Sequence, residues 1–165
     1  MKYATVFTNE IKFLEVIINF FNVKTVIVEK EKINNHIYDF CIWKKIEIIV
    51  FDKKKNNFKK ILIKSNYIGI SYGFGVIFKK DFIKKFKAGI WNIHPGALPD
   101  YRGRHPISHA FLNNEKFIGV SIHIINEQID SGKLLAQNFV SRSVNDSTKD
   151  IENKIILFLK SSLIK

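Results

Sequence analysis

Strand-like runs that are apolar at nearly every position, rather than at every second one, constrain this chain most. Tyr3–Thr8, Val23–Val28, Ile46–Phe51, Tyr67–Tyr72 and Gly89–Ile93 all read this way. A strand with one face in water alternates, whereas a continuously apolar strand is buried on both faces. Segments with helical spacing lie between these runs. Asn9 stands where a helix cap is expected, ahead of Ile11, Phe13, Leu14, Ile17, Ile18 and Phe21. Ile37–Lys45, Phe58–Lys64 and Lys80–Lys87 read as further helices. The alternation predicts an α/β fold, Rossmann-like, with a mostly parallel sheet flanked by helices.

The second half is built differently. Pro95–Pro106 is a loop that holds all three prolines. Ile107–Leu112 reads as helix, and Phe117–Ile125 and Lys133–Phe139 read as a C-terminal strand pair around Asn126–Gly132. Asp146 or Ser147 is placed to cap a closing helix, with Ile151, Ile155, Ile156, Phe158 and Leu159 turned inward. No repeat or linker interrupts the chain, so residues 1–165 are expected to form a single domain.

Composition supports a packed core, since 46% of the 165 residues are hydrophobic and 25% charged. The lone Cys41 excludes an internal disulfide and a cysteine zinc site, and reads as a small buried hydrophobe. The longest uncharged stretch, Ser65–Phe78, has 14 residues and mixes in Gly, Ser and Asn. A membrane-spanning helix needs about 20 mostly apolar residues. The first residues carry no signal-peptide core and Glu10 follows at once, so a soluble cytoplasmic protein is expected, with no membrane partner. The net charge of +12 is lopsided: residues 1–90 carry 18 basic and 8 acidic side chains, and residues 91–165 carry 9 and 7. A basic half suits an anionic partner, although a Lys-, Ile- and Asn-rich chain also reads as coding bias in solvated positions.

Polar groups stand out at two places. Asn92-Ile93-His94-Pro95-Gly96 closes a strand-like run, and in open α/β sheets ligands bind beyond the carboxyl ends of strands. Asn92 and His94 are two apart, so an extended backbone turns both to one side. Asp130 lies in Gln128-Ile129-Asp130-Ser131-Gly132, a loop between two strands. An amide donor, an imidazole and a carboxylate make an acid–base and oxyanion set, while each alone is equally well a satisfied structural group. No serine or cysteine sits in a nucleophile elbow. Gly73-Phe74-Gly75 lacks the third glycine of a dinucleotide fingerprint. His105 and His109 are four apart but lack the glutamate of a zinc protease helix, so no metal is expected.

Asn92-Ile93-His94-Pro95-Gly96-Ala97-Leu98-Pro99-Asp100-Tyr101-Arg102-Gly103 resembles the signature of the 10-formyltetrahydrofolate-dependent formyltransferases. Gly119-Val120-Ser121-Ile122-His123 and Ile129-Asp130-Ser131-Gly132-Lys133-Leu134-Leu135-Ala136-Gln137 follow in the family's order. The resemblance implies a Rossmann-like domain that binds folate and moves a formyl group from 10-formyltetrahydrofolate directly to a primary amine. It implies Asn92, His94 and Asp130 as the catalytic trio, with Asn92 and a protonated His94 stabilising the oxyanion and Asp130 holding His94. Folate would lie against backbone at Phe74, Gly75, Val76, Ile77 and Phe78 and at Ile124, Ile125 and Asn126. Gly96, Tyr101, Arg102 and Gly103 would meet the acceptor.

The run Tyr101–Pro106 looks like the sugar-nucleotide and methionyl-tRNA branches. The expected acceptor is therefore an amino sugar on a nucleotide. Methionyl-tRNA is disfavoured by the short chain, and glycinamide ribonucleotide is a further alternative. A non-enzymatic basic nucleic-acid-binding module is the rival of another class.

Overall fold

The computed structural model describes residues 1–55, 58, 61, 63 and 67–162. They form two compact units, Met1–Trp91 and Asn92–Lys165. The helix expected over Phe58–Lys64 falls largely outside the described residues.

Met1–Trp91 holds strands β1 (Tyr3–Thr8), β2 (Asn22–Glu29), β3 (Glu47–Phe51) and β4 (Ile68–Tyr72) in the order β3-β2-β1-β4. All three pairings, β1 with β2, β1 with β4 and β2 with β3, are parallel. Every residue of β4, and all of β1 after Tyr3, is buried, as continuous apolar runs require. The edge strand β3 buries only Phe51 fully. Helix α1 (Ile11–Ile17) turns Phe13, Leu14, Val16 and Ile17 inward, and α2 (Asn35–Trp43) turns Ile37 and Cys41 inward. Asn34 caps α2 by accepting from the Ile37 amide at 3.1 Å.

Two local expectations need correction. Asn9 does not cap α1, whose N-cap is Glu10 without a side-chain cap bond. The Asn9 amide instead binds Glu29 and the Gly73 carbonyl, long-range partners that local spacing does not reveal. The helix expected over Lys80–Lys87 is a single turn, α3 (Lys80–Ile83). Beyond it the bonds tighten to three-residue spacing, Lys85 to Phe82 and Phe86 to Ile83, while the Phe82 and Phe86 rings meet at 5.7 Å.

Strand β5 (Ile90–His94) carries the chain from the first unit into the second. Asn92–Lys165 continues with α4 (Pro106–Leu112), β6 (Phe117–Ile124), β7 (Leu134–Ser141) and α5 (Thr148–Ser162). The strand order is β5-β6-β7, with β6 and β7 antiparallel, as the strand-pair expectation required. Helix α5 packs against β7 and α4 and buries Ile151, Ile155, Ile156 and Leu159. Ser147, rather than Asp146, caps it: its Oγ accepts from the Asp150 amide at 3.2 Å and its own amide donates to Asp150 Oδ2 at 2.8 Å. This reciprocal pair is worth about 1 kcal/mol. Among the described residues no helix is long and apolar enough to cross a membrane.

Candidate active site

Strand period two places Asn92 and His94 on one side of β5, and both reach Asp130 on the loop between β6 and β7. His94 Nδ1 lies 3.5 Å from Asp130 Oδ2, and Asn92 Nδ2 lies 3.5 Å from Asp130 Oδ1. Asp130 has φ 45°, a left-handed conformation that aspartate tolerates better than most residues. The Gly103 amide holds the carboxylate from the other side, donating to Oδ2 at 2.9 Å.

His94 is buried, and its Nε2 lies 2.6 Å from the Tyr101 carbonyl oxygen. A carbonyl only accepts, so Nε2 carries a hydrogen. In the neutral ring, Nδ1 then turns a lone pair toward a carboxylate. A proton entering that gap makes both contacts charge-assisted. Burial lowers the His94 pKa and nearby His123 adds to the effect, against the Tyr101 carbonyl and Asp130; the net direction is down. Burial thus opposes the protonated His94 expected from the sequence while the Asp130 carboxylate favours it, and the net direction is toward the neutral ring. Burial pushes Asp130 up, but the His123 hydrogen bond, His94 and the Gly103 amide together hold it below the ordinary carboxylate value.

A second imidazole completes the cluster. His123, 1% exposed on β6, sets Nε2 at 3.2 Å from Asn92 Nδ2 and 3.4 Å from Asp130 Oδ1, with Nδ1 3.4 Å from the Ile124 carbonyl. With hydrogen on Nδ1 it accepts from Asn92; with hydrogen on Nε2 it donates to Asp130. Sequence reasoning gave His123 no role. The available signal was a polar residue on the buried face of an otherwise apolar strand, in period with Ser121 and Gly119. Ser121, fully buried, donates to the Gly96 carbonyl at 2.7 Å and accepts from the Leu98 amide at 3.2 Å, pinning the loop behind His94. Gln137 reinforces it through Ser121 Oγ and the Leu98 carbonyl.

A family profile described as Formyl transferase matches residues 24–164. The chain belongs to the formyl transferase family. Among its relatives, a methionyl-tRNA formyltransferase of Pseudothermotoga lettingae is 38% identical over 89 residues, 54% of this chain and 30% of that protein. One of Borreliella burgdorferi is 43% identical over 94 residues, 56% of this chain and 30% of that protein. The matched part thus spans less than a third of these relatives' length. Among solved structures, a phosphoribosylglycinamide formyltransferase from Bacillus halodurans is similar with a TM-score of 0.78 at 21% identity, covering 97% of this chain and 90% of that one. A formyltetrahydrofolate deformylase from Pseudomonas syringae gives 0.81 at 19%, covering 99% and 59%. At these identities the likeness is one of fold, the α/β fold expected from the sequence.

The remaining residues expected at a formyl transferase site separate into open and committed groups. Gly96 is buried, and a Cβ there would sit 2.7 Å from the Tyr101 carbonyl and 2.8 Å from His94 Nε2. Glycine is what lets the His94–Tyr101 bond close. The Tyr101 side chain is also engaged, its hydroxyl donating to Glu115 Oε1 at 2.6 Å. Arg102 is exposed, and Gly103 has φ +85° with open space where a Cβ would stand.

In the proposed folate segments, the Ile124 amide is spent on Lys133 and Asn126 Oδ1 accepts from Gln128 and Ser131. Ile125 between them is half-buried. In the first unit, Phe74 and Phe78 direct their rings into an aromatic cluster, 5.6 Å and 4.8 Å from Phe7. The Gly75 amide, expected to face folate, donates instead to Glu29 Oε1 at 2.8 Å. Val76 is half-buried and Ile77 is exposed. Among the described residues no group of three or more His, Cys, Asp or Glu is arranged to hold a metal.

Proposed function

We propose that this chain carries the catalytic machinery of an N-formyltransferase that uses 10-formyltetrahydrofolate and formylates a primary amine. The observation that carries the reading is the convergence of Asn92, His94 and Asp130 within a member of the formyl transferase family. The donor supplies an N-formyl group, whose carbon the amine attacks; the new N–C bond forms and the bond from that carbon to the folate nitrogen breaks. Asn92 Nδ2 has two hydrogens; when His123 carries its hydrogen on Nε2 and donates to Asp130, one of them is free to meet negative charge growing on the formyl oxygen. The Asp130–His94 pair has room for one proton between Nδ1 and Oδ2, and receives the one the attacking amine must lose. It returns that proton to the departing folate nitrogen. The backbone around Ile125 offers hydrogen-bonding edges to a flat heterocycle.

For the acceptor, an amino sugar on a nucleotide follows from the resemblance of Tyr101–Pro106. Methionyl-tRNA is favoured by the names of relatives at 38% and 43% identity. Glycinamide ribonucleotide is named by solved structures alike in fold. All three are anionic amines, and Arg102 and Arg104 are exposed on the loop that Gly103 ties to Asp130. Incubation with 10-formyltetrahydrofolate and each acceptor, followed by mass detection of the added formyl group, tests the reading. Transfer to one acceptor is expected, lost in Asp130→Asn. No transfer to any of the three, with salt-dependent RNA binding instead, would favour the nucleic-acid-binding rival.

A further inference from the structure

The His94 ring is held at both nitrogens, and the two holds disagree about where a neutral imidazole carries its hydrogen. With Asp130 alone, the ring would place that hydrogen on Nδ1 and aim it at the carboxylate 3.5 Å away. The Tyr101 carbonyl, 2.6 Å from Nε2, requires it on Nε2 instead, because two bare acceptors at that distance repel. His94 then keeps an open Nδ1 facing Asp130, where the proton of the attacking amine goes in the proposed transfer. Whatever fixes the Tyr101 carbonyl therefore decides whether that gap can take a proton.

We infer that Tyr101 and Glu115 form a positioning strut for His94, in which Glu115 holds the Tyr101 phenol so that the Tyr101 carbonyl fixes the imidazole tautomer. The inference rests on the proposed function, in which His94 and Asp130 move the proton. Tyr101 is anchored at both ends. Its amide donates to the Ala97 carbonyl at 3.0 Å. Its hydroxyl donates to Glu115 Oε1 at 2.6 Å and accepts from Asn113 Nδ2 at 3.1 Å. The hydrogen bond to Glu115 pushes the phenol pKa above its ordinary value, so the hydroxyl stays a donor. The side chain that the sequence offered to the acceptor thus has its donor role filled within the chain.

Glu115 is itself tied down. Its amide closes the end of α4 on the Ala110 carbonyl at 2.9 Å, and its carbonyl accepts from Arg142 Nη1 at 3.3 Å. The Arg142 guanidinium lies over the Phe111 ring at 4.2 Å, and the Arg142 amide donates to the Lys116 carbonyl at 2.9 Å. The strut runs from Arg142, just past β7, through a carboxylate and a phenol to the loop beside His94, all within Asn92–Lys165. Cutting it leaves Tyr101 with its backbone bond to Ala97. The carbonyl loosens, and the ring hydrogen returns to Nδ1, where it fills the gap.

The test compares wild type, Tyr101→Phe, Glu115→Ala, Glu115→Gln and the double variant Tyr101→Phe with Glu115→Ala. Nitrogen NMR of the histidine rings at neutral pH, assigned with His94→Gln, reads the tautomer. Steady-state kinetics with 10-formyltetrahydrofolate, and whichever of the three acceptors the wild type formylates, read kcat and both KM values. Wild type should carry hydrogen on His94 Nε2, and Tyr101→Phe and Glu115→Ala should show a mixture with Nδ1. In both, kcat should fall about 10- to 10²-fold, the upper end being the cost of a catalytic group displaced by about 1 Å. Both KM values should stay within about twofold, since positioning rather than binding is lost. The double variant should lose no more than either single one, because each cuts the same strut. Glu115→Gln, whose amide oxygen still accepts from the phenol, should recover most of kcat. Tyr101→Phe keeps its ring and carries the test should Glu115→Ala fail to fold. Hydrogen on Nδ1 in the wild type, or an unchanged tautomer and kcat in the variants with only a lower melting temperature, would overturn the inference. So would an acceptor KM raised in Tyr101→Phe but not in Glu115→Ala, which would make Tyr101 a substrate contact. A wild type that formylates none of the acceptors would overturn the functional reading, while the ring spectra still decide whether Tyr101 and Glu115 set the tautomer.

Discussion

The interior of Met1–Trp91 is dominated by aromatic rings: Phe7, Phe51, Phe58, Phe74, Phe78, Phe82 and Phe86 form one network, and Phe13 stacks on Tyr72 at 4.7 Å. The interior of Asn92–Lys165 is aliphatic, and while both units bury polar side chains, here they include two imidazoles, His94 and His123, with Ser121. Ring packing is tolerant in chemistry but strict in volume, and its loss is felt as instability. Buried polar groups contribute less to stability than an equal volume of apolar side chain and must each find partners. The two buried imidazoles of the second unit both face the Asp130 carboxylate, and there the fold gives up packing for chemistry.

Paired substitutions test that contrast directly. Asp130→Asn is expected to lower turnover by about 10³- to 10⁴-fold, the range seen when a carboxylate orienting a catalytic imidazole is lost. Asparagine tolerates the left-handed φ of 45° and can still accept from the Gly103 amide, so the melting temperature should change little. Asn92→Ala should cost about 10²- to 10³-fold through loss of an oxyanion donor. Phe13→Ala, at a fully buried position, should do the reverse, destabilising by about 3–5 kcal/mol while leaving turnover per folded molecule nearly intact. Urea unfolding and single-acceptor kinetics on the same preparations separate the two. A large turnover loss in Phe13→Ala with unchanged stability would erase the distinction.

Gly96→Ser should fall between these extremes. A Cβ at this position would stand 2.8 Å from His94 Nε2, 2.7 Å from the Tyr101 carbonyl and 2.9 Å from Pro106 Cβ. Relief requires the imidazole to leave the Tyr101 carbonyl, so both terms should move: about 1–3 kcal/mol of stability, as for overpacking, and a measurable loss of kcat. Wild-type kcat in Gly96→Ser would mean that the 2.6 Å His94–Tyr101 bond does not set the imidazole for turnover.

How much of this was legible in the sequence follows the same division. Local signals were sufficient for the strands, because continuous apolar runs leave few alternatives, and for the Ser147–Asp150 cap, whose partners are three residues apart. They failed at Asn9, which looks like a cap but binds Glu29, 20 residues away. They failed at Gly75 for a related reason: a free-looking backbone amide is claimed by that same carboxylate, 46 residues away. Asn92, His94 and Asp130 were readable as a set through an ordered motif. His123 sat inside that motif yet was passed over, since a strand histidine shows its partners only when β5, β6 and the 126–132 loop are brought together.

The smallest expected effect concerns pH, and it again separates the units. Burial holds His94 below its ordinary 6.5, so the folded state resists a proton that the unfolded chain accepts. The stability linked to a neutral His94 is present above about pH 6.5 and is lost as pH falls below it, toward the folded pKa. Each pH unit in that window removes at most about 1.4 kcal/mol for one such group. Asp130 behaves in the opposite range: its folded pKa is depressed, so its contribution is intact above 3.8 and declines only as pH falls through the lower folded value. In the first unit Glu29 is also depressed, from 4.5, and contributes nothing to the slope between pH 5.5 and 7.5. The Cys41 thiol, pushed up to about 11 by burial, stays protonated throughout. Urea unfolding at pH 7.5 and 5.5 in wild type and His94→Gln isolates the effect, because the other four histidines are common to both. Wild type should lose more stability than the variant on acidification. Equal losses would mean that His94 takes up its proton as readily in the fold as in the unfolded chain, and that a neutral resting imidazole is the wrong starting state for the proton transfers proposed here.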